Sequence, residues 1–144
     1  MGLLDRLRDL AGKSKGPGLG VDTPGVEIIA EAFDPAEADS SVLARSPSWV
    51  AEAPAILRHH LKLPPGKVAE ATSILAQDGW ELREQGPDGG FTLAHAVRVQ
   101  LLDALHCAQE RSRMAGLAQR LGGDSLGWDA LQPPTGTRDV GHGG

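Results

Sequence analysis

The clearest hydrophobic pattern in the chain lies in its C-terminal third. From Leu101 to Leu121, apolar residues recur every three or four positions, and charged residues occupy the other side of the same helix. The pattern ends at Gly122-Gly123, which is typical of the position just after a helix. We therefore predict a helix over 101–121 that packs on a sheet. Its apolar stripe comprises Leu101, Leu102, Leu105, Ala108, Met114, Leu117, Ala118 and Leu121.

Three segments upstream alternate between apolar and polar residues, as half-buried strands do. They cover 56–63, 80–85 and 91–99, and the Pro87-Asp88-Gly89-Gly90 sequence before the third predicts a tight reversal. In each strand we expect the more apolar set to face the core. These sets are Leu57, His59, Leu61 and Leu63 in the first, Trp80, Leu82 and Glu84 in the second, and Phe91, Leu93, His95, Val97 and Val99 in the third.

Helical spacing also returns at 67–77, before an Asp78-Gly79 stop, and a last short strand is predicted at 125–131. The order strand, helix, strand, strand, helix, strand predicts an α+β fold of the ferredoxin-like βαββαβ type. Such a fold has a four-stranded antiparallel sheet with two helices on one face. The predicted regions are an amphipathic helix and flexible tether at 1–20, an N-terminal extension of strand and loop at 21–54, the ferredoxin-like domain at 55–132, and a disordered tail at 133–144.

Within the extension, 26–33 is predicted to be a short strand and 34–45 a loop or a short helix. Ahead of it, Leu3, Leu4, Leu7 and Leu10 share one face of a helix that is too short to be stable alone in water. This helix is therefore expected to dock on the body of the protein, on a partner or, least favoured, on lipid. One hypothesis for the whole protein is accordingly a structural or dimerising role that uses this leucine-striped helix.

The charge balance and the single cysteine limit the classes of function. A net charge of -5 argues against a nucleic-acid-binding surface, which needs clustered Lys and Arg. Cys107 has no partner for an intramolecular disulfide, which favours a reducing cytoplasmic setting. No apolar run approaches the roughly 18 residues of a membrane span, so a membrane partner is not expected. These features favour a protein partner, and they leave a homodimer open.

The sequence contains no catalytic constellation. His59 and His95 are expected on the inward faces of adjacent strands with His106 above them, but no CxxC or HExxH spacing accompanies them. Core histidines are a simpler interpretation than zinc ligands. Cys107 lies in mid-helix, and no serine stands in a Gly-x-Ser-x-Gly elbow. We therefore predict a protein without catalytic residues, metal or cofactor.

The uncovered face of the predicted sheet is the candidate interaction surface. It combines basic and small apolar residues and holds no aromatic ring on which RNA bases can stack. We therefore expect it to meet a protein, a second copy or the N-terminal segment. The alternative is an ordinary solvated face, or one covered by residues 26–50. The candidate residues are Arg58, His60, Lys62, Arg83, Ala94 and Arg98.

Two stretches resemble a known family. They are ILAQDGW at 74–80, which is followed by a charged hairpin strand, and LAQRLGGDSLGWDAL at 117–131. Residues 55–132 resemble the RraB-like regulators of ribonuclease activity, also called the ribonuclease E inhibitor domain. The resemblance implies a small acidic cytoplasmic protein that binds an endoribonuclease and lowers its activity without doing chemistry itself. Residues of the shared pattern, for which we expect structural roles, are Gly79, Trp80, Gly122, Gly123, Gly127 and Trp128.

Overall fold

A computed structural model describes residues 18–134, which form an α+β fold around one sheet. The predictions for 1–17 and 135–144 lie outside the described residues. The strands are β1 (Glu27–Ala32), β2 (Ala55–Leu63), β3 (Glu81–Asp88), β4 (Phe91–Gln100) and β5 (Asp124–Gln132). The helices in this range are α1 (Asp39–Ala44), α2 (Val68–Ala76) and α3 (Ala104–Arg120), and a 3₁₀ turn at Pro65–Lys67 precedes α2.

The sheet has five antiparallel strands in the order β1-β5-β2-β4-β3. The α+β class and the order of elements within 55–132 are confirmed, but the predicted number of four strands is wrong. The fifth strand comes from the N-terminal extension, where β1 pairs with β5 from Glu27↔Gln132 to Ala32↔Trp128. Periodicity predicts a strand at 26–33, yet it carries no information about a partner that lies about a hundred residues away.

The main core lies between one face of the sheet and the three helices. Leu57, Leu61 and Leu63 of β2 and Trp128 of β5 are fully buried there. α3 packs across β5 and β2, and α1 packs against α3 and β1. The core is thus centred on the middle strands, where helices from both halves of the chain meet. Its helical contributions include Leu43, Ala71, Leu75, Cys107, Met114, Leu117 and Ala118.

The predicted orientation of β4 is wrong. Directly paired residues in an antiparallel sheet lie on the same face. Because Leu61 pairs with Ala94 and His59 with Ala96, the alanines of β4 face the helices. The more apolar set of β4 lies on the opposite face of the sheet, beside Arg58, His60 and Lys62 of β2. This set comprises Phe91, Leu93, His95, Val97 and Val99.

This second face of β4 is partly covered by the chain itself, which explains the error. Residues 18–26, which we call the strap, run across it before β1 begins. Val21 and Val26 of the strap share a small cavity with Ile56, Val97 and Leu131 of the sheet. Asp22 forms an ion pair with Arg83 of β3, with 2.6 Å between Oδ1 and Nη1. Apolar side chains on both faces of β4 therefore have something to pack against, so the more apolar set does not mark the main core.

Helix α3 starts three residues later than predicted because Asp103 caps it. The backbone N–H of His106 donates to Asp103 Oδ1 at 2.8 Å, which satisfies a donor that the first helical turn leaves unpaired. As a result, Leu101 and Leu105 are 56% and 64% exposed rather than part of the buried stripe. Cys107 takes the inward position in that first stretch of the helix.

The glycines of the shared pattern have two different structural roles. Gly79 and Gly122 follow α2 and α3 with φ of 83° and 87°, the left-handed conformation that ends many helices. In each case the N–H of the following residue donates to a carbonyl in the last turn of the helix. Trp80 N–H donates to Leu75 O at 3.0 Å, and Gly123 N–H donates to Ala118 O at 2.7 Å. Gly123 and Gly127 instead leave room for a backbone carbonyl, that of Lys62 and that of Ala32, respectively. Gly127 therefore allows the backbone of strand β1 to approach β5 closely.

Candidate functional site

A buried ion pair lies in the middle of the open sheet face, the face opposite the helices. Arg58 of β2 and Asp129 of β5 are register partners, and the guanidinium donates from Nε and Nη2 to the two carboxylate oxygens at 2.7 and 2.6 Å. The Asp129 side chain is only 3% exposed. Burial works to raise the pKa of Asp129, but the contacts from Arg58 and His60 outweigh it and hold that pKa below its ordinary value.

Two histidine rings are in contact beside this ion pair. His60 of β2 pairs with His95 of β4, and their ring centroids are 4.1 Å apart. Phe33, just after β1, meets the edge of His60 at 4.9 Å. Burial, followed by the nearby His60 and Arg58, lowers the pKa of His95 to about 4. His95 is therefore neutral at physiological pH.

The low pKa of His95 predicts a loss of stability in mild acid. The unfolded chain takes up a proton on this residue near pH 6.5, whereas the folded protein does so only near pH 4. Because the unfolded state binds more protons in this range, stability falls as the pH drops from 6.5 to 4. We expect His95→Gln to make this fall about 1–2 kcal/mol smaller after allowance for solvent screening. Urea unfolding at several pH values between 7 and 4.5 measures it.

His106→Gln is the control because its effect has the opposite sign. The hydrogen bond and charge of Asp103 raise the pKa of His106, so its contribution to stability is present below pH 6.5 and is lost as the pH rises. Replacing His106 should therefore make the loss of stability on acidification slightly larger. If His95→Gln and the wild type lose the same stability between pH 6.5 and 4.5, the low pKa of His95 is wrong.

The cavity under the strap has a volume of about 200 Å³. Ligand sites for drug-sized molecules usually have about 300–1,000 Å³. Its two arginines, Arg58 and Arg83, already bind carboxylates of Asp129 and of Asp22 and Glu81. Neither the size nor the polar groups of this cavity indicate a substrate site.

The predicted interaction surface is therefore divided between two faces. Arg58, His60, Lys62 and Arg83 lie on the open sheet face, as predicted. The placement of Ala94 and Arg98 there is wrong, since both belong to the helix-covered face through the inverted orientation of β4. Part of the open face is moreover covered, mainly by the strap at 18–26, while Phe33, from the predicted range 26–50, contacts His60 there.

A groove between α2 and α3 is the other concave feature of interest. Its floor contains Trp80, which closes α2, and Arg98 of β4, whose guanidinium lies 4.0 Å from the centre of the indole ring. Arg98 also donates to Glu110 of α3 at 2.7 Å and to the carbonyl of Asp78 at 2.7 Å. Arg98 thus joins β4, α3 and the end of α2 in one hydrogen-bonded cluster, and it fixes the position of Trp80.

His59 lies beneath this cluster and is fully buried. Its ring meets Trp80 edge-on at 5.1 Å, and Nε2 lies 3.8 Å from Glu110 Oε1, beyond hydrogen-bonding distance. Within the described residues, neither ring nitrogen of His59 has a hydrogen-bond partner. Burial lowers the pKa of His59, against the opposing effect of Glu110, so the ring is neutral.

The structure separates the residues considered as metal ligands. His59 and His95 lie on opposite faces of the sheet, contrary to the prediction that they share one. In residues 18–134, no three His, Cys, Asp or Glu side chains are grouped closely enough to hold a metal ion. Cys107 is fully buried, and burial raises the pKa of its thiol to about 12, so it does not form a nucleophilic thiolate at neutral pH.

The groove has a volume of about 230 Å³, again below the usual range for small-molecule sites. It is large enough for one bulky side chain from another protein. The apolar residues that line the groove, including those of its floor, are Ile74, Leu75, Trp80, Met114 and Leu117. Its polar rim is formed by Asp78, His106, Gln109, Arg113 and Arg120.

Sequence reasoning missed this groove. The signal was present in Arg98, a charged residue on an otherwise well-patterned strand, and in Glu110 on the helix predicted to pack over it. Two opposite charges on elements that are expected to be in contact indicate a buried ion pair. The wrong prediction for the orientation of β4 concealed this ion pair, because it placed Arg98 on the solvent side.

Comparisons of the chain with protein-family models, with curated proteins and with solved structures find no significant match. The resemblance to the RraB-like regulators stays a prediction. Helices long and apolar enough to cross a membrane are not found in residues 18–134.

Proposed function

We propose that this protein is a non-catalytic interaction module that binds a protein partner through the groove between α2 and α3. The observation that carries the proposal is a small cavity whose floor is formed by Trp80 and Met114 and whose rim carries the charged side chains of Arg113 and Arg120. A cavity of about 230 Å³ suits one anchoring side chain of a partner better than a free small molecule.

We also propose that β2 to β5 form a ferredoxin-like unit to which β1 adds a fifth strand. The support is the order β5-β2-β4-β3 within the sheet, with α2 between β2 and β3 and α3 between β4 and β5. This arrangement places both helices over the same face, where the groove opens between them. In this proposal the N-terminal extension lengthens the sheet at β5 and covers part of the open face.

The class of partner that we propose is an endoribonuclease, whose activity the module lowers by direct contact in the cytoplasm. Support comes from the residue pattern at 74–80 and 117–131, the net charge of -5 and the single cysteine. A regulator of this kind needs a specific surface but no reactive group. The buried neutral His59 and the buried thiol of Cys107 are in keeping with that requirement.

The proposal predicts that purified protein slows RNA cleavage by an endoribonuclease from the same cell, and that charge reversal at the groove weakens this inhibition. Candidate ribonucleases are first captured from native extract with the full-length chain. Inhibition of RNA cleavage is then measured with each purified candidate. We expect the double variant Arg113→Glu/Arg120→Glu to weaken inhibition about ten-fold or more, because rim charges steer and orient a partner.

The double variant Arg45→Glu/Lys67→Glu is the matched control. It makes the same change in net charge, but Arg45 directly follows α1 and Lys67 lies in the turn before α2, both outside the groove. Equal loss of inhibition in both double variants would indicate a general charge effect. Full inhibition by the groove variant would exclude the groove, and the absence of any inhibited ribonuclease would exclude the ribonuclease role.

A further inference from the structure

We infer that the groove binds an acidic peptide segment that inserts one large apolar side chain between α2 and α3. The inference rests on the proposed function and specifies the chemistry of the partner. Two properties of the groove carry it, namely the shape of its floor and the sign of the charge on its rim.

The floor is prepared for a single apolar side chain. Trp80 and Met114 are almost completely buried, and Ile74 at the mouth is half-buried. The Arg98 guanidinium holds the indole from one side and is itself held by Glu110, so the floor is rigid before a partner arrives. A preformed floor lowers the conformational cost of binding, and an anchor that fills such a pocket dominates the affinity of a peptide.

The rim carries more positive than negative charge, although the protein as a whole is acidic. Arg113 and Arg120 lie on the exposed side of α3, and the Arg113 side chain is 68% exposed. The negative charges nearby are Asp78, which forms an ion pair with Arg113, and Glu110, which forms one with Arg98 deeper in the groove. The arginines are two turns apart on one helix, so they can contact acidic residues on both sides of an inserted anchor.

Other possible occupants fit the apolar floor and the positive rim less well. RNA would also meet the positive rim, but Arg98 covers one face of the Trp80 indole and only a small part of the ring is exposed, which leaves no open face on which a base can stack. The leucine-striped segment at 2–11 has apolar side chains, but helical spacing places Arg6 and Arg8 beside its stripe. Those arginines would face Arg113 and Arg120.

The test titrates the full-length protein with four synthetic twelve-residue peptides. The first has one central Phe flanked by Glu and Asp, the second replaces that Phe with Ala, and the third replaces the acidic residues with Lys. The fourth begins with residues 2–11 of this chain. Binding is followed by backbone amide NMR shifts over the whole protein.

We expect the acidic Phe peptide to bind with shifts confined to α2, α3 and Trp80. The Ala peptide should bind at least ten-fold more weakly, because the buried ring is lost. Arg113→Glu/Arg120→Glu should weaken binding of the acidic peptide about five- to ten-fold, whereas Arg45→Glu/Lys67→Glu should leave it unchanged. Added salt should weaken binding, since the rim charges are exposed.

Tighter binding of the lysine peptide or of the 2–11 peptide overturns the inference, as does an acidic peptide whose shifts lie elsewhere or are absent. The failure of the proposed function is distinguishable from this outcome. If no peptide binds but the groove variant still loses inhibition of a ribonuclease, the groove remains the partner site and only the acidic chemistry is wrong. If the acidic peptide binds but inhibition is unaffected, the groove is a peptide site without the proposed regulatory role.

Discussion

Asp39→Ala is expected to lower the free energy of unfolding by about 3–5 kcal/mol, a large part of the stability of a domain of this size. Asp39 is the first residue of α1, and its side chain is only 5% exposed. One carboxylate oxygen accepts from Trp128 Nε1 at 3.0 Å and from Arg111 Nη1 at 2.7 Å. Removing it leaves the buried indole N–H of Trp128 without a partner and deprives the partly exposed guanidinium of Arg111 of its carboxylate.

The size of this effect comes from the elements that meet at Asp39. Trp128 belongs to β5, Arg111 to α3, and Asp39 to the N-terminal extension. Arg111 also approaches the carbonyl of Asp34 at 3.2 Å, so the same guanidinium holds the connection between β1 and α1. Loss of the carboxylate therefore weakens the attachment of the whole extension to the sheet.

Thermal unfolding followed by circular dichroism measures the change, and a decrease in Tm of roughly 10–20 °C is expected. Ser40→Ala is the control, because Ser40 is the next residue of the same helix and is exposed. It should change Tm by only a few degrees. A Tm for Asp39→Ala close to that of Ser40→Ala would show that Trp128 and Arg111 find other partners at little cost.

Gly123→Ala is expected to cost about 3 kcal/mol or more, because a methyl group at this position collides with a backbone atom. A Cβ on Gly123 would lie well inside van der Waals contact with the carbonyl oxygen of Lys62. Lys62 is in β2, which is paired on both sides by β4 and β5 and has little freedom to move away. Either the strands separate locally or the turn after α3 is distorted.

Gly116→Ala provides a control of opposite sign. Gly116 lies within α3, is exposed, and has open space where a Cβ would be. Alanine is the better helix former, so this variant should gain about 0.5–1 kcal/mol. Urea unfolding of both variants separates steric collision from general sensitivity to Gly→Ala changes. Equal and small effects at 116 and 123 would contradict the close approach of Lys62.

Local structure could be predicted well from the sequence. The alternation in 56–63, the helical spacing in 67–77 and 101–121, and the glycines after each helix all arise from neighbouring residues. The structure has β2, α2 and α3 within three residues of the predicted limits. The remaining differences also have local causes, such as the capping of α3 by Asp103, which moves the start of the helix past Leu101.

The face of β4 could not be predicted in the same way. Alternation identifies two sets of residues in a strand, and the more apolar set is normally the one that faces the core. In β4, His95 and Val97 of that set lie under the strap, while Ala94 and Ala96 face the helices. Small side chains there leave space for Trp80 and for the guanidinium of Arg98 above it. The choice between the faces depends on packing volumes that become known only when all the elements are assembled.

The sequence by itself determined the class of the fold, the order of its elements in 55–132 and the positions at which glycine must end a helix, because these depend on contacts within a few residues. Only the tertiary structure decided the fifth strand, the covering of the open face and the groove beside Trp80. The pairs that create these features, Ala32 with Trp128, Asp22 with Arg83 and Arg98 with Glu110, join separate elements of the fold. Which of many candidate partners meet is set by the packing of the whole domain, since no local periodicity specifies it.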